Sequence, residues 1–174
     1  MTAADTLAAA VRDVPDFPKP GILFKDITPV LSDGKLFRLA IETMAATAAS
    51  VQPDLIAGID ARGFIFGAAV AEKLGIGFVP VRKKGKLPYR SKSVAYALEY
   101  GEAVIEVHED AFPHGERVVL MDDLLATGGT AAAACELIRA TGGNLVQVQF
   151  LIELSFLGGR KALGDIPVHS VITY

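Results

Sequence analysis

The stretch "RVVLMDDLLATGGT", residues 117–130, decides the fold. It opens on a near-continuous apolar run, of the kind buried on both faces of a parallel sheet. It then passes two adjacent carboxylates, Asp122 and Asp123, and reaches Thr127-Gly128-Gly129-Thr130, after which an alanine-rich segment carries helical text from Ala131 to Gly142-Gly143. Strand, glycine turn and helix together form the passage at which an α/β fold presents main-chain amides and a positive helix end to an anion. Gly128 and Gly129 admit backbone angles that other residues avoid, so the amides from Ala126 to Thr130 can face one phosphate, and Thr127 and Thr130 add hydroxyls. Asp122 and Asp123 lie too close for a second phosphate without a metal, but they accept well from paired hydroxyls such as those of a ribose. A sugar beside a phosphate satisfies both halves. The plainer alternative is a helix capped by Thr130 after an acidic turn, which leaves the buried-strand text and the acid pair without a reason. The Gly-Lys-Ser/Thr ending of a nucleoside-triphosphate P-loop is absent.

Outward from this stretch the same grammar repeats. "DLIAGID" (54–60) reads as a strand, "ARG" (61–63) as a turn, "FIFGAAVAEKLG" (64–75) as a helix ended by glycine, and "GFVPVRK" (77–83) as the next strand. Upstream, residues 4–14 read as a short amphipathic helix ended by Pro15, residues 16–34 as an ordered but irregular proline- and glycine-rich segment, and residues 35–51 as a helix. Residues 84–106 read as a hairpin excursion with a mobile basic tip, and 144–154 as one more strand. No repeat or low-complexity linker interrupts residues 1–174. The expected architecture is therefore a single α/β domain with a central, mainly parallel sheet flanked by helices.

The composition sets bounds on function. The 174 residues are 51% hydrophobic, with a mean hydropathy of +0.39, which is ample for one core. A formal net charge of −3 and a pI near 5.6 argue against a surface that wraps nucleic acid, so any basic site must be local. The single cysteine, Cys135, allows no internal disulfide. No basic leader precedes an apolar stretch at the start, and no apolar run reaches membrane-spanning length. A cytoplasmic protein without a membrane or nucleic-acid partner is expected. His108, His114 and His169 show no metal-ligand spacing and receive no role.

Arg82, Lys83, Lys84, Lys86, Arg90 and Lys92 place six positive charges within eleven residues. By charge alone, a solvated loop, an RNA contact and a polyphosphate site are all consistent with this cluster. The neighbouring phosphate motif favours the last, with Lys86, Arg82 and Lys83 as the diphosphate ligands.

"VVLMDDLLATGGT" resembles the phosphoribosyl-diphosphate-binding signature of the type I phosphoribosyltransferases. Taken with "DFPKPGILFKDITP" (16–29), "GIDARGFIFG" (58–67), "RKKGKLP" (82–88) and "LEYG" (98–101), the resemblance runs over nearly the whole chain and is to the adenine-using branch of that family. One departure is Ala61, where the family often carries serine. The resemblance implies that Asp60, Ala61 and Arg62 hold diphosphate, with a non-proline cis peptide in that loop. It implies that a closing loop brings Glu99, with Tyr100 beside it, to the base as the catalytic group. It further implies that Leu23, Phe24, Lys25 and Leu154 form the adenine pocket, Phe24 and Leu154 as walls and the main chain around Leu23 and Lys25 as reader of the ring edge. The implied reaction converts adenine and phosphoribosyl diphosphate to AMP and diphosphate. Mg2+ would be held mainly by substrate and water, and the assembly would be a homodimer. Two other readings share the phosphate machinery: a transferase for another base, and a nucleotide-sensing regulator that has lost the chemistry.

Overall fold

The computed structural model describes residues 1–97 and 102–174, and in it the apolar run of 117–121 lies inside a seven-stranded sheet. In chain order the elements are α1 (Ala3–Ala10), β1 (Arg12–Pro15), β2 (Leu23–Asp26), α2 (Thr28–Ser32), α3 (Gly34–Ala49), β3 (Leu55–Ile59), α4 (Arg62–Leu74), β4 (Gly77–Lys83), β5 (Ser91–Ala97), β6 (Glu102–His108), β7 (Arg117–Leu125), α5 (Gly129–Ala140), β8 (Asn144–Glu153), α6 (Arg160–Leu163) and β9 (Val168–Thr173). The strand order is β5-β6-β4-β3-β7-β8-β9. The strands from β4 to β9 in that order pair in parallel, while β6 runs antiparallel to both β4 and β5.

Because side chains alternate across a strand, β7 feeds two separate cores. Val119 and Met121 pack with Ile56, Phe66 and Val70 on one face, whereas Val118 and Leu120 pack with Ala57, Ala134 and Leu137 on the other. Helix α4 thus covers the first face and α5 the second. From β3 the chain crosses through α4 to β4 on one side, and from its neighbour β7 it crosses through α5 to β8 on the other. Strand order reverses between β3 and β7, and a crevice opens at their carboxyl ends, where doubly wound sheets bind ligands.

Several local expectations need correction. The first helix stops at Ala10 rather than at residue 14, because the chain leaves it at Val11 to pair β1 with β2. The segment expected to be irregular therefore contains β2 and α2. The final strand β9 had no counterpart in the sequence reading. In the β5–β6 hairpin Ala97 pairs with Glu102, and residues 98–101 between them lie outside the described residues. Of the six basic residues, Lys84, Lys86 and Arg90 lie in the connection from β4 to β5, Arg82 and Lys83 on β4 and Lys92 on β5, and none falls between Ala97 and Glu102. No described helix is long and apolar enough to cross a membrane.

Candidate active site

The two turns singled out in the sequence meet. Asp60, Ala61 and Arg62, from the end of β3 and the start of α4, line one cleft with Asp122, Asp123 and Thr130 from the end of β7 and the start of α5. The cleft has a volume of ≈ 600 Å³, and Lys83, Tyr96 and Ala103 close its third side. A smaller recess of ≈ 90 Å³ adjoins it, lined by Ala126, Thr127, Gly128, Gly129 and, shared with the cleft, Asp122 and Thr130.

Among the four helices of eight or more residues, the two that start in this cleft differ from the other two, while the short α2 and α6 are likewise uncapped. Helix α1 is capped by the Thr2 side chain and α3 by Asp33, each taking up main-chain donors of the first turn. Helices α4 and α5 follow directly on Ala61 and Gly128 and have no side-chain cap. Apart from the Phe64 amide, which donates to the Ala61 carbonyl at 3.2 Å, their first-turn amides are left for another acceptor, and the positive ends of both dipoles converge on the cleft. Gly128 carries the backbone requirement of the turn: its φ is +87°, and a Cβ there would lie 2.4 Å from the carbonyl oxygen of Gly159. Gly129, in contrast, is the first helical residue, and a Cβ on it would meet nothing closer than 3.7 Å. The glycine freedom read at two positions belongs to one.

Asp122 and Asp123 are held differently. Asp123 is buried and ion-paired to the Arg62 guanidinium. Asp122 accepts the Asp123 amide at 2.8 Å. Its carboxyl is pushed well above the usual range, first by burial and then by the like charge of Asp123. Gly63, read in the sequence only as part of the turn, lets α4 start against this pair: a Cβ there would stand 2.7 Å from the Met121 carbonyl oxygen and 3.0 Å from Asp122 Oδ1. The Asp60–Ala61 peptide is cis, as the resemblance implied.

The basic residues divide. Lys83 lines the cleft. Arg82 is engaged internally, with Nε 3.5 Å from Asp60 Oδ2 and Nη1 donating to the Lys86 carbonyl at 3.0 Å. The Lys86 side chain is exposed and lies outside the cleft lining. Leu23, Phe24 and Lys25 sit on β2, in a separate two-stranded sheet. Phe24 is brought beside the cleft, its ring centroid 5.9 Å from Arg62 Cζ. The Lys25 ammonium donates to Asp13 Oδ1 at 2.6 Å and lies 3.9 Å from the Tyr174 ring centroid. Leu154 packs against the first core, and its amide donates to the Leu125 carbonyl at 2.9 Å. None of these four residues lines the cleft itself. Glu99 and Tyr100 lie outside the described residues. Among the described residues, no three His, Cys, Asp or Glu side chains gather to cage a metal. Asp60 and Asp122 do offer carboxylates at the cleft, a donor set that suits a magnesium ion held through substrate oxygens and water.

Comparison with known proteins gives a consistent picture. Residues 31–155 match the phosphoribosyl transferase domain family. An adenine phosphoribosyltransferase of Nitrosococcus oceani is 51% identical over 170 residues, covering 98% of this chain and 99% of that protein. The crystal structure of adenine phosphoribosyltransferase from Thermoanaerobacter pseudethanolicus superposes with a TM-score of 0.95 at 50% identity, over 99% of this chain and 100% of that one. The Saccharomyces cerevisiae enzyme, solved with an imino-altritol bisphosphate and adenine, gives a TM-score of 0.91 at 41% identity, covering 97% of this chain and 98% of that one.

Proposed function

The chain belongs to the phosphoribosyl transferase family and, within it, to the adenine phosphoribosyltransferases; from that premise we propose how its cleft performs the reaction. The 5-phosphoribosyl group of phosphoribosyl diphosphate passes to adenine, giving AMP and diphosphate. One ring nitrogen of adenine forms a bond to the anomeric carbon, the bond from that carbon to the diphosphate oxygen breaks, and diphosphate departs with the electron pair. Positive charge grows on the ribose as this happens, so the protein must hold nucleophile and leaving group in line and stabilise the departing charge.

In this reading the amides from Ala126 to Thr130, with the Thr127 and Thr130 hydroxyls, bind the 5-phosphate in the recess at the start of α5. Asp122 and Asp123 accept from the ribose hydroxyls. The start of α4, from Asp60 to Arg62, binds the diphosphate together with Lys83 and Lys86, and Arg82 braces that side. Magnesium, when bound, would be held beside Asp60 and Asp122 through substrate oxygens and water and would supply neutralisation of the departing charge. The Arg62–Asp123 ion pair gives each partner what the ligand would give it: the Asp123 carboxylate stands in for diphosphate charge at Arg62, and the guanidinium stands in for the ribose hydroxyls as donor to Asp123. Binding exchanges one internal pair for two contacts to substrate. Leu23, Phe24, Lys25 and Leu154 form the base pocket beside the cleft, and Glu99 handles the proton at adenine. A cytoplasmic homodimer completes the proposal.

One observation carries this reading: two helices without side-chain caps aim at a single cleft, with an acid pair between them. The test is incubation with phosphoribosyl diphosphate, magnesium and adenine, hypoxanthine, xanthine, guanine or orotate in turn. Adenine should be favoured by about 10⁴ or more in kcat/KM, since a site that demands specific hydrogen bonds rejects analogues that mismatch them. Chelating the magnesium should abolish turnover, and adding it back should restore it. Comparable use of another base would move the chain to a different branch of the family.

A further inference from the structure

The connection from β4 to β5 has a carboxylate at its centre, although its own charged side chains are all basic. Glu106 lies on β6 opposite Arg82 of β4 and is only 6% exposed. Its Oε1 accepts the amides of Gly85 at 3.0 Å and Leu87 at 3.3 Å, and its Oε2 accepts the Ser91 hydroxyl at 3.3 Å. One buried side chain thus gathers three points along seven residues of loop. The donors are main-chain amides and a hydroxyl, not the lysine heads. Lys83, Lys84 and Lys86 are exposed and form no salt bridge among the described residues. Arg82 closes the other end of the loop by donating to the Lys86 carbonyl at 3.0 Å while its Nε stands 3.5 Å from Asp60. The loop is therefore fixed from behind by Glu106 and joined through Arg82 to the turn at the start of α4, with its ammonium groups left to meet an anion.

We propose that Glu106 is a positioning residue for diphosphate: it shapes the 84–91 loop so that the lysines face the leaving group, and it touches no substrate itself. This rests on the reading that the loop lysines bind diphosphate. A buried acceptor that satisfies several main-chain donors is costly to delete, because the donors are left unpaired, and a charged network lacking one member loses its geometry. A glutamine can replace most of it, since its carbonyl oxygen accepts from Gly85 and Leu87 while its amide donates to the Ser91 hydroxyl.

The experiment is steady-state kinetics in the direction of AMP plus diphosphate, with magnesium present, on the parent protein and on Glu106→Leu, Glu106→Gln and Glu106→Asp. Glu106→Leu should raise KM for diphosphate by about tenfold or more while KM for AMP stays within about twofold. Glu106→Gln should bring the diphosphate KM back to within about threefold of the parent. An equal rise in both KM values, no rise at all, or no recovery in Glu106→Gln would overturn the proposal. If circular dichroism shows Glu106→Leu to be unfolded, Glu106→Asp decides: it keeps the charge but withdraws it by one methylene. A rise confined to the diphosphate KM supports the positioning role, and parental kinetics overturn it. A parent protein that fails to turn over AMP and diphosphate would instead bring down the underlying reading.

Discussion

Asp122 is stabilised poorly and placed well. Burial and the neighbouring Asp123 raise its carboxyl, so the folded chain binds a proton there more tightly than the unfolded chain does. Stability therefore falls as pH rises from the unfolded toward the folded value, and the penalty stays in force above it. Asp122→Asn keeps the oxygen that accepts the Asp123 amide and removes the charge. It should raise Tm at pH 7, by about 2–4 °C per kcal/mol gained in a chain of this size, with the advantage vanishing below about pH 4. Calorimetry against pH checks this. Asp123→Asn should act on turnover: a charged acceptor is worth about 1.5–3 kcal/mol, which corresponds to roughly a 10–150-fold loss in kcat/KM for phosphoribosyl diphosphate. At the neighbouring turn, Gly128→Ala should abolish use of that substrate, whereas Gly129→Ala should leave it within about tenfold, as initial rates would show. The acids were legible because their chemistry is carried by residue type and position. The division of labour between the two glycines was not, because it depends on where Gly159 packs, some thirty residues downstream.

At the scale of elements, the four longer helices α1, α3, α4 and α5 were legible from their apolar spacing, while the short helices α2 and α6 and the short pairings were not. The text of residues 4–14 supports a helix throughout, yet at Val11 a partner strand at Leu23–Asp26 wins the backbone. Local spacing carries no record of such a partner. The ends of β8 and α6 are tied by a contact that also escaped the text: Arg160 donates to both Glu153 oxygens at 2.7 Å, and Ser170 adds a third bond at 2.7 Å. The guanidinium, and behind it the Ser170 hydroxyl, hold the Glu153 carboxyl below its ordinary value of 4.5. A depressed folded value means that this stabilisation is complete above the unfolded value and disappears as pH falls through the folded one. Chemical denaturation between pH 6 and about pH 3 should show a steeper acid loss in the parent than in Glu153→Gln. Because Gly159 packs on the Ala126 carbonyl, where its Cβ would approach to 2.3 Å, the same substitution should also loosen the phosphate recess.

For the whole molecule, the reversal of strand order between β3 and β7 sends α4 and α5 to opposite faces of the sheet, so their starts belong to different hydrophobic cores. A ligand held by both connects the two layers, and its binding free energy is added to folding. At a hundredfold excess over Kd, AMP should contribute about 2.7 kcal/mol, or roughly 5–10 °C in Tm, which a thermal shift titration would detect. The two-stranded β1–β2 sheet stands apart from this arrangement: it shares no ladder with the seven-stranded sheet, its ion pairs Lys25–Asp13 and Arg12–Asp26 are internal to it, and side-chain contacts such as Lys25 on Tyr174 and Phe24 beside Arg62 tie it to the main body. The β2 part of the proposed base pocket, Leu23 to Lys25, is in that sense a head set on a fixed sugar-phosphate grip, with Leu154 contributed by the grip itself. Selection acting on a new base could recut a few residues of that head without moving any strand of the main sheet, and so inherit the rest of the enzyme intact.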